Sequence, residues 1–318
     1  MRRTADGGDR RVAAIFGGGR GIGLAIADAL HADGAQTVVL DNDSTPDGAG
    51  QVTRADSDPT ALERHTFMDC DVTDLHAVKS RVADVITEFG RLDTSVAAAG
   101  ISRPARIEAA PFQDLAQVFR VHLGGHVNVV EATLPHLRAS SAGRLILTTS
   151  GAGLVGSPRQ PMYGAAKMAI AEMTRRLADE LSGTSVTVNA FSPTAITRLS
   201  AGLLGARPAE VAERLDPAFL RHEAVEVGEF VAELASPDSM VQGRVFLVAG
   251  GYLQEFALPH RSRSLHDAAA LTERGALGDA LRWGLANPNL DDFTVMPTRW
   301  FVADEPFRTW ESVDVVAR

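Results

Sequence analysis

Tyr163 and Lys167 stand four residues apart in Tyr163-Gly164-Ala165-Ala166-Lys167. The chain has two tyrosines, Tyr163 and Tyr252, and two lysines, Lys79 and Lys167, against twenty-nine arginines. Four possible pairs make this spacing a coincidence on the order of one per cent, against the false-positive risk any short motif carries. The run from Lys167 to Leu181 reads as helix. Four residues make about one turn, so both side chains fall on one face. A phenol titrates near ~10, and a neighbouring ammonium favours its ionised form. Lowering that pKa by ~3 units takes ~4 kcal/mol of differential stabilisation. Such a tyrosine can exchange a proton with an alcohol or a carbonyl near neutral pH.

Ser150 follows the apolar run Leu145–Thr148 and precedes Tyr163 by thirteen residues. At the carboxyl end of a strand its hydroxyl can hold a substrate oxygen beside the phenol; a serine there can equally cap a turn. Val12-Ala13-Ala14-Ile15-Phe16 leads into Gly17-Gly18-Gly19-Arg20-Gly21-Ile22-Gly23, which reads as strand, glycine turn and helix start. Glycines let backbone N–H groups close on a pyrophosphate, and the helix N-terminus faces the anion with its positive dipole end. The spacing Gly17-x-x-x-Gly21-x-Gly23 departs from the usual Gly-x-Gly-x-x-Gly. Asp41, just past the second apolar run, can accept hydrogen bonds from an adenosine ribose and would repel a 2′-phosphate, which favours NAD over NADP. Arg20 argues the other way, because a guanidinium suits a phosphate. Asp71 and Val72, after the third run, can contact an adenine.

These residues need a frame, and apolar runs alternate with helical patterns from about residue 12 to 250. Strands are expected at Val12–Phe16, Thr37–Leu40, His65–Met68, Thr94–Ala97, Leu145–Thr148, Val186–Ala190 and Val245–Val248. Helices are expected at Ile22–His31, Leu75–Phe89, Phe112–Leu137 and Tyr163–Leu181. This alternation implies an α/β domain over residues 11–251, a Rossmann-type, doubly wound parallel sheet of about seven strands with helices on both faces. Residues 194–227 interrupt the alternation and read as a substrate lid or as a surface loop with a short helix. Residues 1–10 read as a disordered leader. Residues 252–318 read as a helical and irregular C-terminal extension; its Trp300, Phe301, Phe307 and Trp310 suit packing on the domain or on a partner subunit.

With 318 residues and 45% apolar content the chain can bury a full core. A formal charge of −9 argues against general nucleic-acid binding. No apolar run approaches the ~20 residues that cross a bilayer, so no membrane partner is expected. Cys70, the single cysteine, excludes an internal disulfide and suits a reducing, cytoplasmic compartment. No Cys/His spacing of the zinc type occurs, so no metal is expected.

Taken in order, the glycine loop, the acidic strand end, Ser150, Tyr163 and Lys167 resemble the short-chain dehydrogenase/reductase family over about residues 11–251. The resemblance implies an NAD-dependent enzyme that interconverts a secondary alcohol and a ketone as a homodimer or homotetramer. It implies that Tyr163 donates or accepts the proton, that Lys167 lowers its pKa and binds the nicotinamide ribose, and that Ser150 orients the substrate. Gly17, Gly21 and Gly23 would hold the pyrophosphate, with Gly19, Arg20 and Ile22 between them. Ile196 and Thr197, after Pro193, would cradle the nicotinamide carboxamide. Ala98 and Gly100 would border the cofactor.

Three departures from the family pattern stand out. Phe16 replaces the threonine before the glycine loop. Ala97-Ala98-Ala99-Gly100 replaces Asn-Asn-Ala-Gly and lacks the side-chain hydrogen bonds that brace that turn. His122 replaces a catalytic asparagine that supports a water relay to the lysine; a histidine can relay protons or be buried neutral. The segments Val121-His122-Leu123-x-Gly125, Pro193–Ser200 and Gly243-Arg244-Val245-Phe246 look like the (3R)-hydroxyacyl-CoA dehydrogenase portion of multifunctional β-oxidation enzymes. That would make the substrate a small hydroxy or keto compound, including a CoA-linked one, whose phosphates Arg159, Arg198 or Arg261 and Arg263 can meet. Two rivals are a cofactor-binding scaffold without redox turnover, motivated by the altered alanine turn, and a hydrolase, opposed by the missing Gly-x-Ser-x-Gly around Ser150.

Overall fold

The computed structural model describes residues 10–42, 60–195, 224–249 and 252–256. Seven strands run parallel: β1 Val12–Phe16, β2 Gln36–Asp41, β3 Thr66–Asp69, β4 Thr94–Ala97, β5 Arg144–Thr148, β6 Thr187–Pro193 and β7 Val245–Ala249. An eighth, β8 Tyr252–Glu255, returns antiparallel along β7. The sheet order is β3-β2-β1-β4-β5-β6-β7-β8. The expected parallel sheet of about seven strands is present, with an eighth, antiparallel strand added at its edge. The extra strand comes from residues read as C-terminal extension and pairs along the edge of β7. The rest of that extension, and residues 1–9, lie outside the described residues.

Strand sequences explain the two-sided burial. Along β1, Val12, Ala14 and Phe16 enter one core while Ala13 and Ile15 enter the other, the period of two that a sheet imposes. The first core also takes Val78, Val82 and Val85 of helix α3 (Leu75–Phe89), Val129 and Leu137 of α5 (Gly125–Leu137), and Ile170 and Ala171 of α7 (Pro161–Glu180). The second takes Ile26, Ala27 and Leu30 of α1 (Gly21–Ala32) with Val227, Val231 and Leu234 of α8 (Ala224–Ala235). Helix α8 begins inside the segment read as a lid or loop; residues 196–223 lie outside the described residues. A Cβ on Gly228 would lie 2.4 Å from the carbonyl oxygen of Ala25, so α8 can sit on α1 only with a glycine there.

The long helix expected at Phe112–Leu137 is broken in three. Helix α4 spans Phe112–Phe119, a π-helical turn takes Arg120–Gly124, and α5 completes the run. A π turn adds one residue to the circuit and rotates the helix beyond it, a device common at functional sites. Here it brings His122 and His126 inward, each 1% exposed. Among the described residues, no helix is long and apolar enough to cross a membrane.

Candidate active site

Ser150 and Tyr163 are brought together by two helices in close contact. Ser150 leaves β5 in extended conformation and caps the short helix α6 (Gly151–Leu154), accepting from the Ala152 N–H at 3.2 Å. Pro161 sits in the first turn of α7, where its missing N–H costs nothing. A Cβ on Gly153 would lie 2.6 Å from Met168 N and 2.7 Å from the Gly164 carbonyl, so α6 lies backbone to backbone on α7. That contact sets the Ser150 hydroxyl within hydrogen-bonding reach of the Tyr163 phenol. The serine caps a turn, and its hydroxyl also faces the tyrosine.

Lys167 is buried and makes a 2.7 Å hydrogen bond from Nζ to the Thr148 carbonyl. Thr149 Oγ1 donates to the Lys167 carbonyl at 2.6 Å, tying the same helix turn to the end of β5. The amine stands 5.8 Å from the centre of the Tyr163 ring. The one-face expectation holds, but its electrostatic consequence is corrected. Burial pushes the Tyr163 phenol above its usual value, and the Ser150 hydrogen bond is what pulls it down. Burial lowers Lys167 itself to about 7. Two things explain the difference: Nζ is aimed at a strand carbonyl, and a half-neutral amine is a weak electrostatic partner.

His122 fills the space behind the tyrosine. The two rings meet edge to face, 4.8 Å between centres. Its Nε2 lies 2.9 Å from the Ile101 carbonyl and 3.2 Å from the Ile101 N–H. Burial, and then the nearby Lys167 charge, lower its pKa to about 3. Of the two readings given for His122, relay or neutral burial, the lowered pKa favours the neutral, buried form. His126, which sequence reasoning passed over, lies one turn further on. Its i, i+4 spacing from His122 was the available signal.

The glycine loop adjoins this group. Gly17 has φ +84°, and a Cβ there would lie 2.3 Å from Ala99 N. A Cβ on Gly23 would lie 2.1 Å from the Gly17 carbonyl oxygen. A Cβ on Gly100 would lie 2.7 Å from the His122 ring. Glycine loop, alanine turn, His122 and Tyr163 therefore touch in series across the carboxyl ends of β1, β4 and β5, the edge where doubly wound sheets bind ligands. A loop whose side chains are excluded by its own backbone leaves N–H groups facing outward at the start of α1, which fits a dinucleotide pyrophosphate. Asp41 ends β2 beside it, its Oδ2 accepting from Gly19 N–H at 2.8 Å. Arg20 precedes α1 and is exposed, and Ile22 packs against the second core. Ala98 donates its N–H to the Phe16 carbonyl at 2.8 Å. Asp71 is exposed and accepts from Thr73 N–H at 2.8 Å, while Val72 is buried. Pro193 ends β6; Ile196 and Thr197 lie outside the described residues, as do Arg198, Arg261 and Arg263.

Comparison with known proteins agrees with this geometry. The pattern of the family described as short chain dehydrogenase matches residues 11–202. A short-chain type dehydrogenase/reductase of Mycobacterium tuberculosis is 32% identical over 78% of this chain and 85% of its own length. The peroxisomal hydratase-dehydrogenase-epimerase of Saccharomyces cerevisiae is 32% identical over 71% of this chain, a match that spans 26% of that longer protein. The crystal structure of a short chain dehydrogenase from Mycobacterium avium superposes with a TM-score of 0.72 at 31% identity, covering 87% of this chain and 94% of that one.

Proposed function

Because the chain belongs to the short chain dehydrogenase family and is an oxidoreductase, we propose that it interconverts a secondary alcohol and a ketone with NAD(H), using Tyr163 as general acid/base. The observation that carries this reading is the convergence of Ser150, Tyr163 and Lys167 beside the glycine loop at one edge of the sheet. A bound nicotinamide would supply the hydride acceptor or donor. The chain's own residues do the rest. Tyr163 takes the hydroxyl proton in oxidation and returns it in reduction. Ser150 holds the substrate oxygen and its hydrogen bond keeps the phenolate accessible. Lys167, held by Thr148, fixes the helix turn beneath both, and its amine would bind the nicotinamide ribose. Alcohol turnover with NAD, followed by the absorbance of reduced nicotinamide, separates this enzyme from a silent scaffold; no turnover across secondary alcohols would overturn it.

The substrate class we propose is a bulky hydroxy compound, with 3-hydroxyacyl-CoA first. Two observations support it. The likeness to the peroxisomal hydratase-dehydrogenase-epimerase is one. The other is an open groove of ≈ 400 Å³ before α7, lined by Arg106, Ile107, Glu108, Ser157 and Arg159 among others. Arg106 is paired with Glu108 there, so Arg159 is the guanidinium that suits an anionic carrier.

Two expected results test the assignments. Removing the one hydrogen bond that lowers the phenol, by Ser150→Ala, should move the rising limb of the kcat/KM-against-pH profile for oxidation to higher pH and slow turnover at neutrality. An unmoved profile would place that limb on another group. For the cofactor, Asp41→Ala should narrow the preference for NAD over NADP in kcat/KM, since the carboxylate borders the glycine loop at Gly19 and would meet an adenosine ribose there. An unchanged ratio would show that selection lies elsewhere.

A further inference from the structure

The β4–β5 ladder stops at the pair Ala97↔Leu147. In a parallel ladder the next contact would join the Ala97 carbonyl to the Thr148 N–H. An imidazole stands there instead. Thr148 N–H donates to His126 Nε2 at 3.3 Å. With Nε2 accepting, the ring's one proton sits on Nδ1, its only donor. The ring also lies against the backbone of Ala97 and of His122, which raise its pKa as hydrogen-bonding partners. Beside it, His122 Nε2 stands 2.9 Å from the Ile101 carbonyl and 3.2 Å from its N–H, and bonds one of the two according to its tautomer. The turn between these anchors, Ala97-Ala98-Ala99-Gly100, has no polar side chain of its own. Yet it forms the wall of the glycine loop: Ala99 lies where a Gly17 side chain would be, and Gly100 lies against the His122 ring.

We propose that His126 replaces one rung of the β4–β5 ladder and, with His122, forms an imidazole brace that holds the alanine turn against the glycine loop. Both act as positioning residues, His122 through its edge-to-face contact with the Tyr163 ring and its hold on Ile101. The wedge parts β4 from β5 at their carboxyl ends and carries from outside the hydrogen bonds that the three alanines cannot make. Burial, and after it the neighbouring Lys167, push the His126 pKa well below its usual value, which keeps the ring in the neutral form the bridge requires. Because the Gly17 loop leans on this turn, loss of the brace should loosen the dinucleotide and leave proton transfer at Tyr163 largely intact. This functional consequence rests on the oxidoreductase reading above.

Two measurements on the full chain test the brace. Nitrogen-15 NMR of labelled histidines in the wild-type protein should show His126 as the Nδ1–H tautomer; an Nε2–H tautomer or an imidazolium would overturn the wedge. NADH titration should show His126→Phe, which keeps ring volume without polar atoms, binding about tenfold more weakly. The same variant should show a raised KM for NAD and little change in kcat at saturation. His126→Asn, which keeps one donor and one acceptor, should recover part of the lost affinity. Wild-type affinity in His126→Phe would overturn the proposal, and where that variant does not fold the tautomer and the asparagine variant decide. If the wild-type protein bound no NADH, the oxidoreductase reading would fall, and the tautomer would still decide the wedge.

Discussion

Tyr163→Phe is expected to lower kcat for alcohol oxidation at least ~100-fold, the scale of a lost general acid/base. The substitution removes one oxygen and leaves the ring. Its edge-to-face contact with His122, at 4.8 Å between centres, and its place 5.8 Å from the Lys167 amine do not need the hydroxyl. NADH affinity and thermal stability should therefore stay near those of the wild type. That split is what distinguishes a reacting group from a packed one: a structural tyrosine would lose both together. Turnover within a few-fold of wild type would remove Tyr163 from the chemistry. The variant also bears on which group tunes the phenol. Burial raises it and Ser150 lowers it, so Ser150→Ala should shift a pH profile that Tyr163→Phe abolishes.

Why the tyrosine was legible in the sequence and its electrostatics were not comes down to range. Helical spacing is local, and four residues put Tyr163 and Lys167 on one face whatever surrounds them. Where Nζ points is decided by Thr148, nineteen positions away on another element. Local rules likewise gave β1 and α3 their observed bounds. Helix α3 has Asp74 accepting from the His76 and Ala77 N–H groups at its start and Gly90 at φ 78° at its end. The π turn at Arg120–Gly124 has no such punctuation. Its apolar pattern continues as though one helix ran from Phe112 to Leu137, and only the one-residue offset, settled by packing against α7 and the sheet, reveals it. Strand β8 was missed because pairing with β7 is a tertiary event; its Leu253 and Glu255 remain exposed and give little burial signal. The alanine turn shows the same limit from the other side. The sequence marked the missing asparagines, while their replacement by a ring on α5 required coordinates.

The second large effect concerns the cofactor cradle. Gly23→Ala should weaken NADH binding at least ~100-fold, as a ~1 Å displacement in a preorganised site does. The added carbon would stand 2.1 Å from the Gly17 carbonyl oxygen and 2.9 Å from the Gly18 Cα. Both are backbone atoms, so no side chain can swing aside. Gly17 is itself pinned, with its N–H donating to the Leu40 carbonyl at 2.7 Å and Ala99 across from it. The first turn of α1 must then move away from the loop and carry its N–H groups off the pyrophosphate. Overpacking of this kind costs about 1–3 kcal/mol in stability, so the melting temperature should fall as well. Gly34→Ala is the control. That glycine has φ +84° and nothing within 4 Å of the added carbon. It should lose about 1 kcal/mol through backbone strain alone and bind NADH as the wild type does. Titration by the quenching of protein fluorescence reads both variants. Equal affinity in Gly23→Ala and the wild type would mean that the pyrophosphate lies elsewhere, and with it the site that Tyr163 is meant to serve.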